Sequence, residues 1–207
     1  MVTFHALTVV LGWTAVALGV VSALAQFRRV AVRGIDGVSL ATWTIFVYMG
    51  LFWITYGVVA GSIEIVLGSL VILPIQLGIL FRLAPWRHLR VVLQSLAFIG
   101  LFGVLPTMLG GWSDGVYAIG LAMSITRGPQ IIALIRSEDA SGVSVSSWAL
   151  NAVGAALWMT YYVGAHLWAA FVATGLAGVA SLTIAVLATW RQQVDRRSVS
   201  LLAAFSD

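Results

Sequence analysis

Few side chains in this chain could do chemistry, and their types favour holding a solute over transforming one. The chain has no cysteine and 3 histidines, so no disulfide, thiolate metal site or cysteine nucleophile can form. His5, His88 and His166 all fall near the ends of apolar runs, with His88 on the side opposite the other two. They do not converge on a metal, and no Ser–His–acid set lies at one depth. The reading is a protein that is not an enzyme, with no metal and no cofactor.

What remains is a small polar and aromatic set: Trp53, Trp158, Asn151, Arg127 and Glu64. Indole faces at Trp53 and Trp158 can stack on the apolar face of a sugar or another flat solute, or they can simply pack helices. Asn151 stands two helical turns before Trp158, hence on the same helix face. An amide in hydrocarbon faces either a cavity or a partner helix.

The elements that carry these residues are apolar runs of spanning length. Hydrophobic residues make up 61% of the chain and charged residues 9%, against about 25% charged in soluble domains. The runs cover 5–27, 40–61, 63–81, 91–110, 115–135, 143–163 and 167–190, each near the ~20 residues that a spanning helix needs. All 11 basic residues are Arg; ten cluster after the first, third, fifth and seventh runs, and Arg127 lies inside the fifth. The connections after the second, fourth and sixth hold only Glu64, Asp114 and His166.

Positive charge stays in the cytosol, so the N-terminus is expected outside and the C-terminus inside, in a plasma membrane. The first run has its basic residues after it, which reads as a span and not as a cleaved signal. The Arg clusters are topology signals; no soluble basic face for nucleic acid exists.

The runs contain a duplication. Gln26, Gly37-Val38-Ser39, Trp43 and Trp53-Ile54-Thr55-Tyr56 recur as Gln130, Gly142-Val143-Ser144, Trp148 and Trp158-Met159-Thr160-Tyr161. The offset is 104 at the glutamines and 105 at the tryptophans. Spans one to three and five to seven form the two copies. The unmatched fourth span gives both copies one orientation, as a parallel repeat requires.

The expected fold is therefore an all-α membrane protein with seven transmembrane helices, two parallel three-helix bundles joined by a linker helix (3+1+3). Its parts are 1–84, the first repeat; 85–111, the linker; 112–190, the second repeat; and 191–207, a cytosolic tail. Trp43 and Trp148 belong to the interface belt. Trp53 and Trp158, ten residues further on, lie about 15 Å deeper, near the midplane, where a belt function does not explain them.

Pro129-Gln130 at the cytosolic end of an odd-numbered span, the basic loop, the Gly-Val-Ser step and the Trp-x-x-Tyr motif resemble the PQ-loop superfamily. The three-one-three layout resembles its SWEET branch, which moves sugars by alternating access. The resemblance covers about 5–84 and 112–190. It implies substrate-binding positions at Ser69 and Thr174 and hinge or gate roles for Gln26, Pro129 and Gln130; Trp53 and Trp158 by their depth, and Asn151 by sharing a helix face with Trp158, are the further substrate-binding candidates.

Three departures stand out. The first copy has Ala25 where the motif has proline, the second has Tyr162 where the first has Gly57, and the pocket asparagines of SWEETs fall on Ser69 and Thr174. Pro129 removes a backbone hydrogen bond within its span, which suits either a hinge or a static kink.

Two charges stay open at this level. Arg127 lies about 7–8 Å inside its interface; it reads as a snorkelling cation paired with Glu138 or Asp139, or as a pathway charge for an anionic solute. Glu64 reads as a solvated carboxylate at the outer mouth, with proton coupling as the alternative. The expected function is a facilitator for a small solute, most often a sugar in this branch. The alternatives are a proton-coupled amino-acid carrier and a non-transporting scaffold that binds cargo. The expected partners are that solute and the lipid bilayer, and assembly into a homo-oligomer stays open.

Overall fold

In the computed structural model, which describes residues 2–33, 40–136 and 143–204, the described residues fold into helices. They are α1 (Val2–Arg33), α2 (Leu40–Val59), α3 (Ile63–Arg82), α4 (Leu89–Ile99), α5 (Leu105–Gly110), α6 (Trp112–Ile125), α7 (Gly128–Arg136), α8 (Val145–Gly164) and α9 (Trp168–Ala204). A short 3₁₀ turn at Pro85–Arg87 precedes α4, and a π turn at Gly100–Val104 joins α4 to α5.

Among the described residues, five stretches are long and apolar enough to cross a membrane: Ala6–Val32, Leu40–Val59, Ile63–Arg82, Leu89–Gly110 and Trp168–Val194. The two runs that do not qualify differ for local reasons. The fifth is divided between α6 and α7 at Thr126 and Arg127. Pro129 has no N–H to continue the ladder there, and Gly128 precedes it. Its counterpart stretch in α1 carries Ala25 and runs unbroken. The sixth, α8, spends part of its 20 residues on Ser146, Ser147, Asn151 and Thr160.

The π turn sits just before Pro106, which also lacks a donor; widening the helix by one residue there absorbs the missing bond. α9 has 37 residues, about 55 Å at 1.5 Å each, and so outreaches a ~30 Å hydrocarbon layer.

The duplication is written into the packing. In the first repeat α3 lies against both α1 and α2; in the second α9 lies against α6, α7 and α8. One buried cluster joins Val30, Ile79 and Leu83 to Phe27, Leu40 and Trp43. A second joins Leu134, Ile184 and Ala188 to Ile131, Val145 and Trp148. Each residue of the first maps onto one of the second, by 104 in the leading helix and by 105 in the other two.

The close helix crossings map in the same way, with large and small residues redistributed. A side chain on Gly68 would meet Val16 at 2.8 Å, and one on Gly120, the counterpart of Val16, would meet Ala173, the counterpart of Gly68. Gly50 faces Leu73 at 3.3 Å, and the equivalent pair is Ala155 and Gly178 at 2.8 Å.

These clusters lie at the end that carries Arg28, Arg82, Arg136 and Arg191, here the basic end. At the other end, where Glu64 and Asp114 begin α3 and α6, a single cluster draws on both repeats. It buries Phe52, Tyr56 and Ile65 of the first with Val116, Ile119, Tyr161, Tyr162, Ala170 and Ala173 of the second. The repeats also meet along α1 and α8, where Thr8 fills the space beside Gly164 and Tyr161 that beside Gly12. α4 packs on α2, and α5 on α6.

Candidate functional site

Trp158 lies partly buried on α8 and reaches across to the first repeat, where its ring stands 3.7 Å from the space a side chain on Gly68 would fill. Gly68 precedes Ser69 on α3. The indole ring stacks on Tyr162, with centroids 5.5 Å apart and planes at 20°. Tyr162 is buried, and the Thr174 side chain of α9 lies near its phenol. Trp158 and Tyr162 therefore stack beside Gly68, with Thr174 near the Tyr162 phenol.

Trp53 joins the same aromatic cluster from α2. It meets Tyr56 edge-on at 5.7 Å and Phe52 edge-on at 6.1 Å. Tyr56 and Phe52 in turn lean on Trp112 of α6. Asn151 lies apart: it is exposed on α8, two turns toward the basic end. Gln26 is partly buried on α1. Pro129 and Gln130 belong to the first turn of α7, just past the break; their side chains lie outside the described residues.

The sequence flagged Tyr162 as a departure, and packing explains it. Gly57, its counterpart, has no room for a side chain, because one would meet Ile65 and Val66 at about 3 Å. The residue equivalent to Ile65 in the second repeat is Ala170, a buried methyl. The space given up at Ala170 admits the phenol at Tyr162. A volume swap between helices of one repeat was the available signal.

Arg127 lies in the break between α6 and α7. Its Nε donates to Ser181 Oγ at 3.2 Å, a terminal guanidinium nitrogen donates to the Met123 carbonyl, and the ring of Trp148 lies 6.0 Å away. Glu138 and Asp139, its expected partners, lie outside the described residues. The equivalent of Ser181 in the first repeat is Gln76, whose Oε1 is buried without a hydrogen bond beside Gly50.

The expectation of a solvated Glu64 needs correction. Glu64 is 7% exposed. Its Oε2 accepts from the Tyr161 hydroxyl at 2.7 Å and lies 3.4 Å from Ser62 Oγ, and the two hydroxyls are 2.8 Å apart. Ser62 also caps α3 by accepting from the Ile65 N–H at 3.2 Å. Depth along its own helix put Glu64 at the water; the second repeat covers it.

Among the described residues no group of His, Asp and Glu could hold a metal ion. Comparison of the chain with protein families, with characterised proteins and with solved structures finds no match.

Proposed function

We propose that the chain crosses the membrane seven times as two parallel three-helix bundles with a linker helix. In this reading it is an alternating-access facilitator for a small solute, a sugar before others, as the PQ-loop and SWEET resemblance implies. The observation that carries it is the division of the core: the repeats share one cluster at the acidic end and keep separate, equivalent clusters at the basic end. Two like bodies joined at one end can rock about that joint, which is the geometry alternating access needs.

The Arg-rich end would face the cytosol of a plasma membrane. Trp158 and Trp53 would stack on the solute, and Ser69 and Thr174 would exchange hydrogen bonds with its hydroxyls. Asn151 would meet it on the basic side. Gln26, Pro129 and Gln130 would serve the hinge, and Arg127 would set the charge of the inner path.

A second reading has an observation of its own. Burial of Glu64 supplies the membrane carboxylate that a proton-coupled amino-acid carrier uses. Uptake into proteoliposomes with a panel of sugars, amino acids and organic anions, with and without a proton gradient, separates the two. Gradient-independent sugar equilibration is expected; movement of none of the panel would leave the scaffold reading.

A further inference from the structure

Arg127 is only partly accounted for by the contacts it makes. Its Nε donates to Ser181 Oγ at 3.2 Å, and one terminal nitrogen donates to the Met123 carbonyl. A guanidinium carries five N–H groups, so those two bonds leave three without an acceptor among the described residues. Glu64 and Asp114 offer no counter-charge, because they begin α3 and α6 at the acidic end.

Two ordinary roles do not cover this side chain. A snorkelling cation turns outward to water or headgroups, whereas Arg127 reaches inward to Ser181, which is 1% exposed. Ser181 gives its own proton to the Ala177 carbonyl at 2.9 Å, so its oxygen is left to accept from the guanidinium. Nor does the end of α6 need Arg127 as a cap. The Met123 carbonyl already accepts from Thr126 Oγ1 at 2.9 Å.

The repeat does not supply the side chain either. Arg127, Ser181 and Met123 correspond to Ala23, Gln76 and Gly19. Only the Trp148 ring, 6.0 Å from the guanidinium carbon, has its like in Trp43. One copy alone has the cation.

We propose that Arg127 anchors an oxyanion site, one that takes a carboxylate or a phosphate group. Its unmatched N–H groups sit on the forked end of a planar side chain, and a pair of them fits two oxygens of such a group. The bond to Ser181 fixes the direction of the fork, and Trp148 lies beside it. A guanidinium without a counter-charge is costly inside a membrane, and an oxyanion offsets that cost. The group belongs either to a solute or to a lipid headgroup. For a solute the inference rests on the reading above and narrows it to hydroxylated solutes that carry an acid group; the binding itself is measurable without transport.

The test is the thermal midpoint of the full chain in maltoside detergent, titrated at constant ionic strength with gluconate and, separately, with glucose. The two probes differ chiefly in one carboxylate. Gluconate should raise the midpoint saturably and further than glucose, as a ligand of the folded state does. Arg127→Gln should weaken gluconate about tenfold or more, the scale of losing a charge partner. Arg127→Lys keeps the charge without the fork; it should fall between the two, and it stands in if the first variant does not fold. Phosphatidylglycerol added to the micelles separates the sources: if it displaces gluconate the site holds a headgroup phosphate, and if it does not the site holds a solute's acid group. No shift with either anion, an undiminished shift in Arg127→Gln, or a lysine that binds as tightly as the arginine overturns the proposal. Gluconate binding in a protein that moves no solute upholds the site and counts against the transport reading; sugar uptake without anion binding does the reverse.

Discussion

The two ends of the molecule obey the duplication to different degrees. At the basic end, six positions of one repeat find their six equivalents in the other, down to the tryptophans Trp43 and Trp148. At the acidic end the equivalence breaks: Gly57 faces Ile65, while Tyr162 stands where Ala170 has made room; Glu64 has Ala169 as its counterpart. At the basic end the packing inside each repeat is equivalent. At the acidic end the equivalence is lost where the repeats share a cluster and Tyr161 bonds Glu64 across them. The end that was altered is the end where the repeats meet, which is where two identical surfaces would leave clashes or gaps.

The comparison breaks outright if the repeats are not parallel. The chain lacks cysteine, so single cysteines report cleanly. Asp114→Cys and Arg87→Cys should label from opposite sides of the membrane with an impermeant reagent. Labelling from one side removes the linker span and, with it, the common orientation of the two bundles.

Stability offers a finer cut. Gly120→Ala would drive a methyl into Ala173 at the crossing of α6 and α9, and overpacking of this kind costs about 1–3 kcal/mol. Gly154→Ala, with Leu18 3.8 Å away, should be neutral or gain up to ~1 kcal/mol from helix propensity. Thermal unfolding in detergent should separate the two; equal effects would mean that the α6–α9 crossing is looser than the repeat requires.

The smallest expected change comes from Thr174→Asn. If the solute is a sugar, restoring the amide that SWEETs carry should preserve or modestly raise uptake, because an amide offers both donors and an acceptor. A tenfold loss would show that Thr174 serves mainly to pack beside the Tyr162 phenol, which lies near it.

Much of this was legible from residue spacing. The basic-end clusters follow from the two offsets alone, and the break between α6 and α7 falls beside the proline that the first copy lacks. Glu64 was not. Hydropathy measures depth along one helix and cannot see that Tyr161, 97 residues on, covers the carboxylate from another. The π turn before Pro106 also escaped, since an apolar run has no periodicity that marks a single inserted residue.

The central claim is that solute passes between the two repeats over Trp158. It is tested most directly by measuring uptake and thermal unfolding together in Trp158→Ala, with Trp53→Ala beside it. Loss of stacking, worth roughly 0.5–1.5 kcal/mol, together with the buried area, predicts at least a tenfold loss of uptake for Trp158→Ala in a protein that still folds, and a smaller loss for Trp53→Ala. If Trp158→Ala unfolds the protein while the wild type moves no solute on the panel, the tryptophans are packing and the account is wrong.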